Sequence, residues 1–344
     1  MSEAVHPETG LLADAADGPV AGGMQGPAVA EAVAAAFTAA IESGRLDLPL
    51  PGRGHTRERW AVLAELAGED LCVARLAEGH ADALAILSEL GAAVPPDGSR
   101  WAVWAAQSAG PRLTARQDRG GWRLDGIKQY CSGARSCTDA LVTAKAPDGD
   151  RLFAVSTRHL WPIPGTWRAV GMAASDTLDV SFDSIEAEPV AGPGSYTARP
   201  GFAHGGVGVA ACWYGGARAV GGTLREAAAG RDVGPYALAD LGAVDLALHT
   251  ARTALDVAAA EIDADPADRQ DGGRLRALRV RALVEAAATE VMRRVGRALG
   301  AGPLCRDGAH SRRVADLTVY LRQHHADRDL AQLGTLVASH GAAW

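Results

Sequence analysis

The apolar positions of this chain change their period twice. Just after Pro27, Ala28 to Ile41 reads as a helix, and Thr56 stands where the N-cap of a second would, ahead of Arg57, Glu58, Arg59 and Trp60. Trp60, Leu63, Leu66 and Ala67 keep helical spacing, and Leu71 to Leu90 continues it with Leu76, Leu84, Leu87 and Leu90 on related faces. Two prolines and a glycine in Val94-Pro95-Pro96-Asp97-Gly98 then break the pattern. Short segments follow: Trp122 to Ile127 alternates, Leu152 to Val155 is an apolar run, and Leu178 to Asp183 alternates again. Beyond the Gly/Pro-rich stretch Ala191 to Gly201 the helical period returns. Leu241, Val244, Leu248, Ala251 and Leu255 form one stripe, and Val280, Val284, Ala287, Val291, Val295 and Leu299 another. The expected fold is α+β, mainly α, with a flexible tail over 1–27, an N-terminal helical domain over 28–100, a small β-domain over 101–190 and an antiparallel helical bundle over 191–344.

Composition narrows the partners. With 344 residues and 48% apolar content the chain can bury a large core. A net charge of −7 and scattered arginines argue against a nucleic-acid partner. No apolar run approaches the ~20 residues of a membrane span, and the start has no basic segment ahead of a hydrophobic one, so a cytoplasmic location is expected. The five cysteines, Cys72, Cys131, Cys137, Cys212 and Cys305, include no C-x-x-C pair, which predicts neither a disulfide framework nor a zinc site. Gly206-Val207-Gly208-Val209-Ala210-Ala211 fits a dinucleotide fingerprint with Glu226 about 20 residues on, yet Arg199 to His204 before it is no buried strand.

Four segments, in order, resemble the acyl-CoA dehydrogenase superfamily. Gly120-Gly121-Trp122-Arg123-Leu124-Asp125-Gly126-Ile127-Lys128-Gln129-Tyr130 is similar to its G-G-y-x-l-n-G-x-K-x-W strand pair, and Gly171-Met172-Ala173-Ala174-Ser175-Asp176-Thr177 to its G-x-r-x-S-D-t run. Gly215-Gly216-Ala217-Arg218-Ala219 stands where the family has G-x-A-r-A, and Arg297-Ala298-Leu299-Gly300-Ala301-Gly302 resembles its Q-x-x-G-G-x-G turn. The resemblance implies an FAD cofactor between β-domain and bundle, its adenine end reached by a neighbouring copy in a homodimer or homotetramer. It places Tyr130 and Ser132 at the flavin ring, and Arg231, Arg297, Gly300 and Gly302 near the pyrophosphate. The chemistry agrees, since a pyrophosphate favours arginine and close backbone N–H groups, and an isoalloxazine an aromatic platform with hydrogen bonds at N1 and N5.

The departures are chemical. The family's A-x-T-E-P-x-A-G-S-D loop is shortened here to Ala105-Ala106-Gln107-Ser108-Ala109-Gly110, and its R-Q-F-G to Arg231-Asp232-Val233-Gly234. His324 stands at the place of the family's catalytic glutamate, and the alternative acid position of some relatives falls near Gly205. His324 extends the stripe Val314, Leu317 and Leu321, while His325 lies about 100° round the helix. A structural buried histidine and a base or donor beside the flavin are both open to it; adjacent histidines on one helix do not chelate a metal. Three functions follow: oxidation of an acyl thioester borne by CoA or a carrier protein, a flavin monooxygenase of the same fold, suggested by Ser132-Gly133-Ala134, and a non-catalytic partner subunit.

Overall fold

A computed structural model describes residues 27–107, 110 and 112–340. Of the expected tail over 1–27, residues 1–26 lie outside the described residues and Pro27 opens the first helix; Ser108 and Ala109 of the shortened loop also lie outside them. Three helices come first: α1 (Pro27–Glu42), α2 (Thr56–Glu69) and α3 (Leu71–Glu89). Thr56 does not cap α2. Its hydroxyl instead accepts from the Gly52 amide at 2.8 Å and donates to Asp263 at 2.6 Å, tying the helix start to a residue 207 positions away. The break before α3 is made by Asp70, whose carboxylate accepts from the Cys72 and Val73 amides at 2.8 and 3.0 Å.

Seven strands follow: β1 (Trp101–Trp104), β2 (Thr114–Asp118), β3 (Gly121–Cys131), β4 (Asp139–Ala146), β5 (Gly149–Ser156), β6 (Trp161–Ile163) and β7 (Leu178–Pro189). Their order is β1-β4-β2-β3-β7-β5, with β6 on β7, and β5 also pairs β4, so the sheet curls back on itself. β1 and β2 run parallel to β4; the other pairs are antiparallel. Leu124, Ala140, Val142, Phe153 and Val180 fill its interior, the alternate positions that a curled sheet turns inward.

After the short α4 (Ser195–Ala198) come α5 (Pro200–Gly230), α6 (Gly234–Ala264) and α7 (Gly273–Leu299), then α8 (Gly302–Arg306), α9 (Gly308–Tyr320) and α10 (Asp327–His340). The apolar stripes face inward: Val244, Ala251 and Leu255 of α6, and Val280, Val284, Val291 and Val295 of α7, are buried. Gly206 and Gly208 lie inside α5, so the apparent dinucleotide fingerprint is a stretch of helix interior. Among the described residues no helix is long and apolar enough to cross a membrane.

The glycines of α5 let α2 come close. A Cβ on Gly215 would fall 2.1 Å from the Ala64 carbonyl oxygen, a backbone atom that cannot swing aside. Gly215→Ala is therefore expected to lower stability by about 1–3 kcal/mol through overpacking, read as a lower urea midpoint at unchanged slope. An unaltered midpoint would show that α2 and α5 separate freely.

Candidate functional site at the meeting of the β-sheet, α3 and α9

β3 ends in a turn that carries Tyr130 and Ser132. Tyr130 has φ 59°, a left-handed conformation costly for a bulky side chain, and its ring is 54% exposed rather than packed in the core. The strain is held by a second loop. The Gly133 and Ala134 amides donate to the Ser175 and Asp176 carbonyls at 2.9 and 3.1 Å, and Arg135 Nε and Nη2 donate to the buried Asp176 carboxylate. Ser132 Oγ accepts from Thr177 Oγ1 at 2.9 Å, and Trp104 Nε1 donates to the Ser132 carbonyl at 2.9 Å. This second loop is in turn anchored on α9, where Asp316 Oδ1 accepts from the Met172 amide at 2.5 Å.

The same turn rests on α3. A Cβ on Gly133 would stand 3.0 Å from Leu76, and Ser132 and Arg75 line one cavity of about 10 Å³ with Gly79, Trp101 and Val103. That is room for a single water. Arg75, Glu78 and Asp82 follow at spacings of three and four, so they share one face of α3. Arg75 Nη1 donates to Glu78 at 2.7 Å. Burial pushes the Glu78 carboxyl up to about 7, Arg75 opposing and the neighbouring Asp82 reinforcing the shift. Asp82 is also raised, by burial against the pull of Arg199, Arg59 and Arg75. Its Oδ1 lies 2.7 Å from where a Cβ on Gly205 would be. Asp82 of α3 therefore lies beside Gly205 of α5.

α9 closes the site, though not as one continuous helix. It ends at Tyr320, and Leu321–Gln323 is a 3-10 turn that delivers His324 in extended conformation, φ −84° and ψ 128°. The expected helical stripe therefore stops short of His324. The imidazole is nevertheless buried, 5% exposed, while the His325 side chain is 54% exposed. His324 Nδ1 accepts from the Ala326 amide at 3.3 Å, which leaves the proton of the neutral ring on Nε2. Burial lowers its pKa against the pull of Asp329, whose nearest oxygen is 3.8 Å away. Next to this corner, Arg281 of α7 donates to the Gly206 and Gln323 carbonyls, both at 2.8 Å, and stacks 4.7 Å over Trp213. Trp213 meets Tyr320 edge-on at 6.4 Å.

The remaining expected residues lie elsewhere. Arg231 is exposed at the C-terminal end of α5, and Gly300 and Gly302 are exposed around the start of α8, Gly300 with φ 66°. Arg297 points back to Asp240, to which its Nε donates at 3.0 Å and Nη2 more closely still. Ser132 lines a small cavity with Arg75 of α3, Tyr130 is exposed beside Asp179, and His324 is buried near Asp329 and Arg281, while Arg231, Arg297, Gly300 and Gly302 lie at the ends of the bundle helices. Sequence reasoning missed Arg75, Glu78 and Asp82. Their signal was a row of charges three and four apart on one face of the largely apolar helix Leu71 to Glu89.

No protein-family model matches the chain, and no curated protein matches it in sequence. Solved structures do resemble it. TdsC from Paenibacillus sp. A11-2, in complex with FMN and indole, superposes with a TM-score of 0.71 at 17% identity over 91% of this chain and 96% of its own. Methanesulfinate monooxygenase MsuC from Pseudomonas fluorescens gives 0.74 at 19% identity over 92% and 97%. The nitrososynthase from Micromonospora carbonacea var. africana gives 0.74 at 20% identity over 92% and 94%. At such identities the likeness is one of fold, and the fold of this chain, helices about a small β-sheet and a long helical bundle, is the fold of these three proteins.

Proposed function

We propose that the chain is a flavin-dependent oxidoreductase of the acyl-CoA dehydrogenase superfamily, acting as a monooxygenase. The observation that carries this reading is a fixed Ser132, next to an exposed and conformationally strained Tyr130, sharing a cavity with Arg75, which in turn donates to a buried proton-bearing group, Glu78. Support comes from the solved structures: TdsC is described as a dibenzothiophene monooxygenase and has been seen with FMN, and MsuC is a methanesulfinate monooxygenase.

The residues fit a flavin ring better than a whole dinucleotide. Tyr130 offers an aromatic face in the open and Ser132 a hydroxyl and backbone on a rigid turn. For an adenine end, one copy offers only the exposed Arg231 and the Gly300 to Gly302 turn, while Arg297 is already bonded to Asp240. FMN is therefore the favoured form, with FAD requiring Arg231, Gly300 and Gly302 to face a neighbouring copy in a homodimer or homotetramer. A bound flavin supplies two-electron chemistry and, when reduced, reaction with dioxygen. The chain's own part is proton handling and exclusion of water. Glu78 holds a proton below about 7, His324 presents an N–H from Nε2, and Trp213 and Tyr320 pack edge-on.

One observation favours a second reading, oxidation of an acyl thioester. Asp82 beside Gly205 is a carboxylate at the family's alternative acid position, able to take an α proton. An absorbance spectrum of the purified protein tests the flavin, and extraction with chromatography identifies it as FMN or FAD. Bleaching by an acyl-CoA without oxygen supports the thioester reading; NADH oxidation that needs a reductase, dioxygen and substrate supports oxygenation. Protein that is colourless and takes up neither flavin supports a non-catalytic partner subunit.

A further inference from the structure

Asp329, in the first turn of α10, is 8% exposed, and of the α10 residues whose side chains are described it is the only buried one. The apolar side chains of the same helix stay partly in solvent: Leu330 is 48% exposed, and Leu333, Leu336 and Val337 are half-buried. A helix that buries its carboxylate ahead of its leucines needs partners for that carboxylate. They are the two adjacent histidines. Asp329 Oδ2 accepts from the His325 amide at 3.0 Å, and Oδ1 stands 3.4 Å from His325 Nδ1. Oδ2 also stands 3.8 Å from His324 Nε2, a buried ring nitrogen with no hydrogen-bond partner.

The corner between the 3-10 turn and α10 turns that nitrogen toward Asp329. Ala326 has φ 47°, and its amide donates to His324 Nδ1, so the neutral ring keeps its proton on Nε2, the side on which Asp329 lies. At 3.8 Å the two are beyond hydrogen-bond length but well within the range over which opposite charges act. Four charged groups face the ring: Asp329 of α10, Glu285 and Arg281 of α7, and Arg322 of the 3-10 turn. Arg322 Nη2 donates to Glu285 at 2.5 Å, so those two largely offset each other. Burial and Arg281 disfavour a charged imidazole, and Asp329 is the foremost group that favours one.

We infer that Asp329 is the positioning residue of His324: it anchors the corner through the His325 amide and sets a carboxylate on the Nε2 side of the imidazole. The role in turnover rests on the proposed function; the contact between the two side chains does not. Asp329 orients the ring and stabilises its charged form, and the proton stays with His324.

Nitrogen NMR of the labelled protein, with His324→Gln and His325→Gln to assign the two rings, reads this contact without any substrate. In the wild type the neutral His324 ring is expected to carry its proton on Nε2. Asp329→Asn keeps an acceptor for the His325 amide and removes the charge, so His324 should hold its second proton about tenfold or more less tightly and titrate at lower pH. Asp329→Glu keeps the charge and should recover most of that affinity. Turnover should follow: in Asp329→Asn kcat falls with KM little changed, and the limb of the pH profile that His324 sets moves to lower pH. A wild-type ring protonated on Nδ1, or a His324 titration that is the same in Asp329→Asn or as weak in Asp329→Glu as in Asp329→Asn, would overturn the inference. Should Asp329→Asn fail to fold, the wild-type tautomer and Asp329→Glu still decide. Flavin content, read separately by absorbance, keeps the two proposals apart: colourless protein with the expected titrations loses only the proposed function, and yellow, active protein whose His324 ignores Asp329 loses only the positioning role.

Discussion

Glu78→Gln is expected to lower turnover by about 10²–10⁴-fold while leaving the fold and the flavin content intact. The amide has the carboxylate's shape and keeps an oxygen for Arg75 Nη1, so what is lost is the transferable proton. The pH dependence sharpens this. Burial raises the Glu78 carboxyl from 4.5 to about 7, so a reaction in which it gives a proton runs fully at lower pH and declines as pH rises through about 7. In the Gln variant that decline should be absent. Stability follows the same sign. Between 4.5 and about 7 the folded state holds a proton that the unfolded state has released, so the contribution of Glu78 is complete below 4.5 and is lost as pH rises through about 7. His80, which burial lowers from 6.5 to about 4, works in the opposite sense: its contribution is present above 6.5 and is lost as pH falls toward 4. Denaturation of wild type and Glu78→Gln in parallel isolates the first effect, because His80 is common to both. Wild-type turnover with an unaltered pH profile in the variant would remove Glu78 from the chemistry.

How legible this was in the sequence depended on whether the physics was local. The stripes of α6 and α7 and the alternation in β3 and β7 follow from which neighbours share a face, and all could be counted along the chain. The end of the first helical stretch at Val94 to Gly98 was equally plain, since proline and glycine act on their own backbone. Thr56 was misread because a threonine before a helix has a local use, and here a distant one, the bond to Asp263, takes precedence. His324 was placed on a helix that stops four residues earlier. It is buried all the same, reached through the 3-10 turn Leu321–Gln323 rather than along a helical stripe. The stripe Arg75, Glu78 and Asp82 was passed over for a different reason. Charges on a helix face water by default, and nothing in Leu71 to Leu90 says that α5 and α9 will cover them. The turn at Tyr130 and Ser132 came through resemblance alone; its φ of 59° is imposed by the loop from Met172 to Thr177, some 45 residues away along the chain.

Asp316→Ala is expected to cost about 2–3 kcal/mol of stability, the upper part of the range for a buried donor left without its acceptor. Asp316 is 4% exposed, and burial raises its carboxyl above the usual range against the pull of the Met172 amide and Arg312. One oxygen holds the Met172 amide at 2.5 Å; the other faces Arg312 Nε at 3.4 Å and the Cys72 thiol at 3.9 Å. Arg312 retains Asp70 at 2.6 Å, so the group left stranded is the Met172 N–H. Met172 itself has φ 56°, and next to it Gly171 touches α9 so closely that a Cβ would fall 1.9 Å from the Ala315 carbonyl oxygen. The loop can take this shape only while α9 holds it. Since the same loop fixes Ser132 through Thr177, its release should weaken flavin retention beyond what the smaller folded fraction explains. Asp316→Asn, which keeps an acceptor for Met172 and gives up the charge, should cost about 1 kcal/mol and retain flavin. Urea unfolding gives the first quantity, and flavin absorbance per folded molecule the second. An Ala variant that keeps both would show that the Tyr130 turn holds its shape without α9.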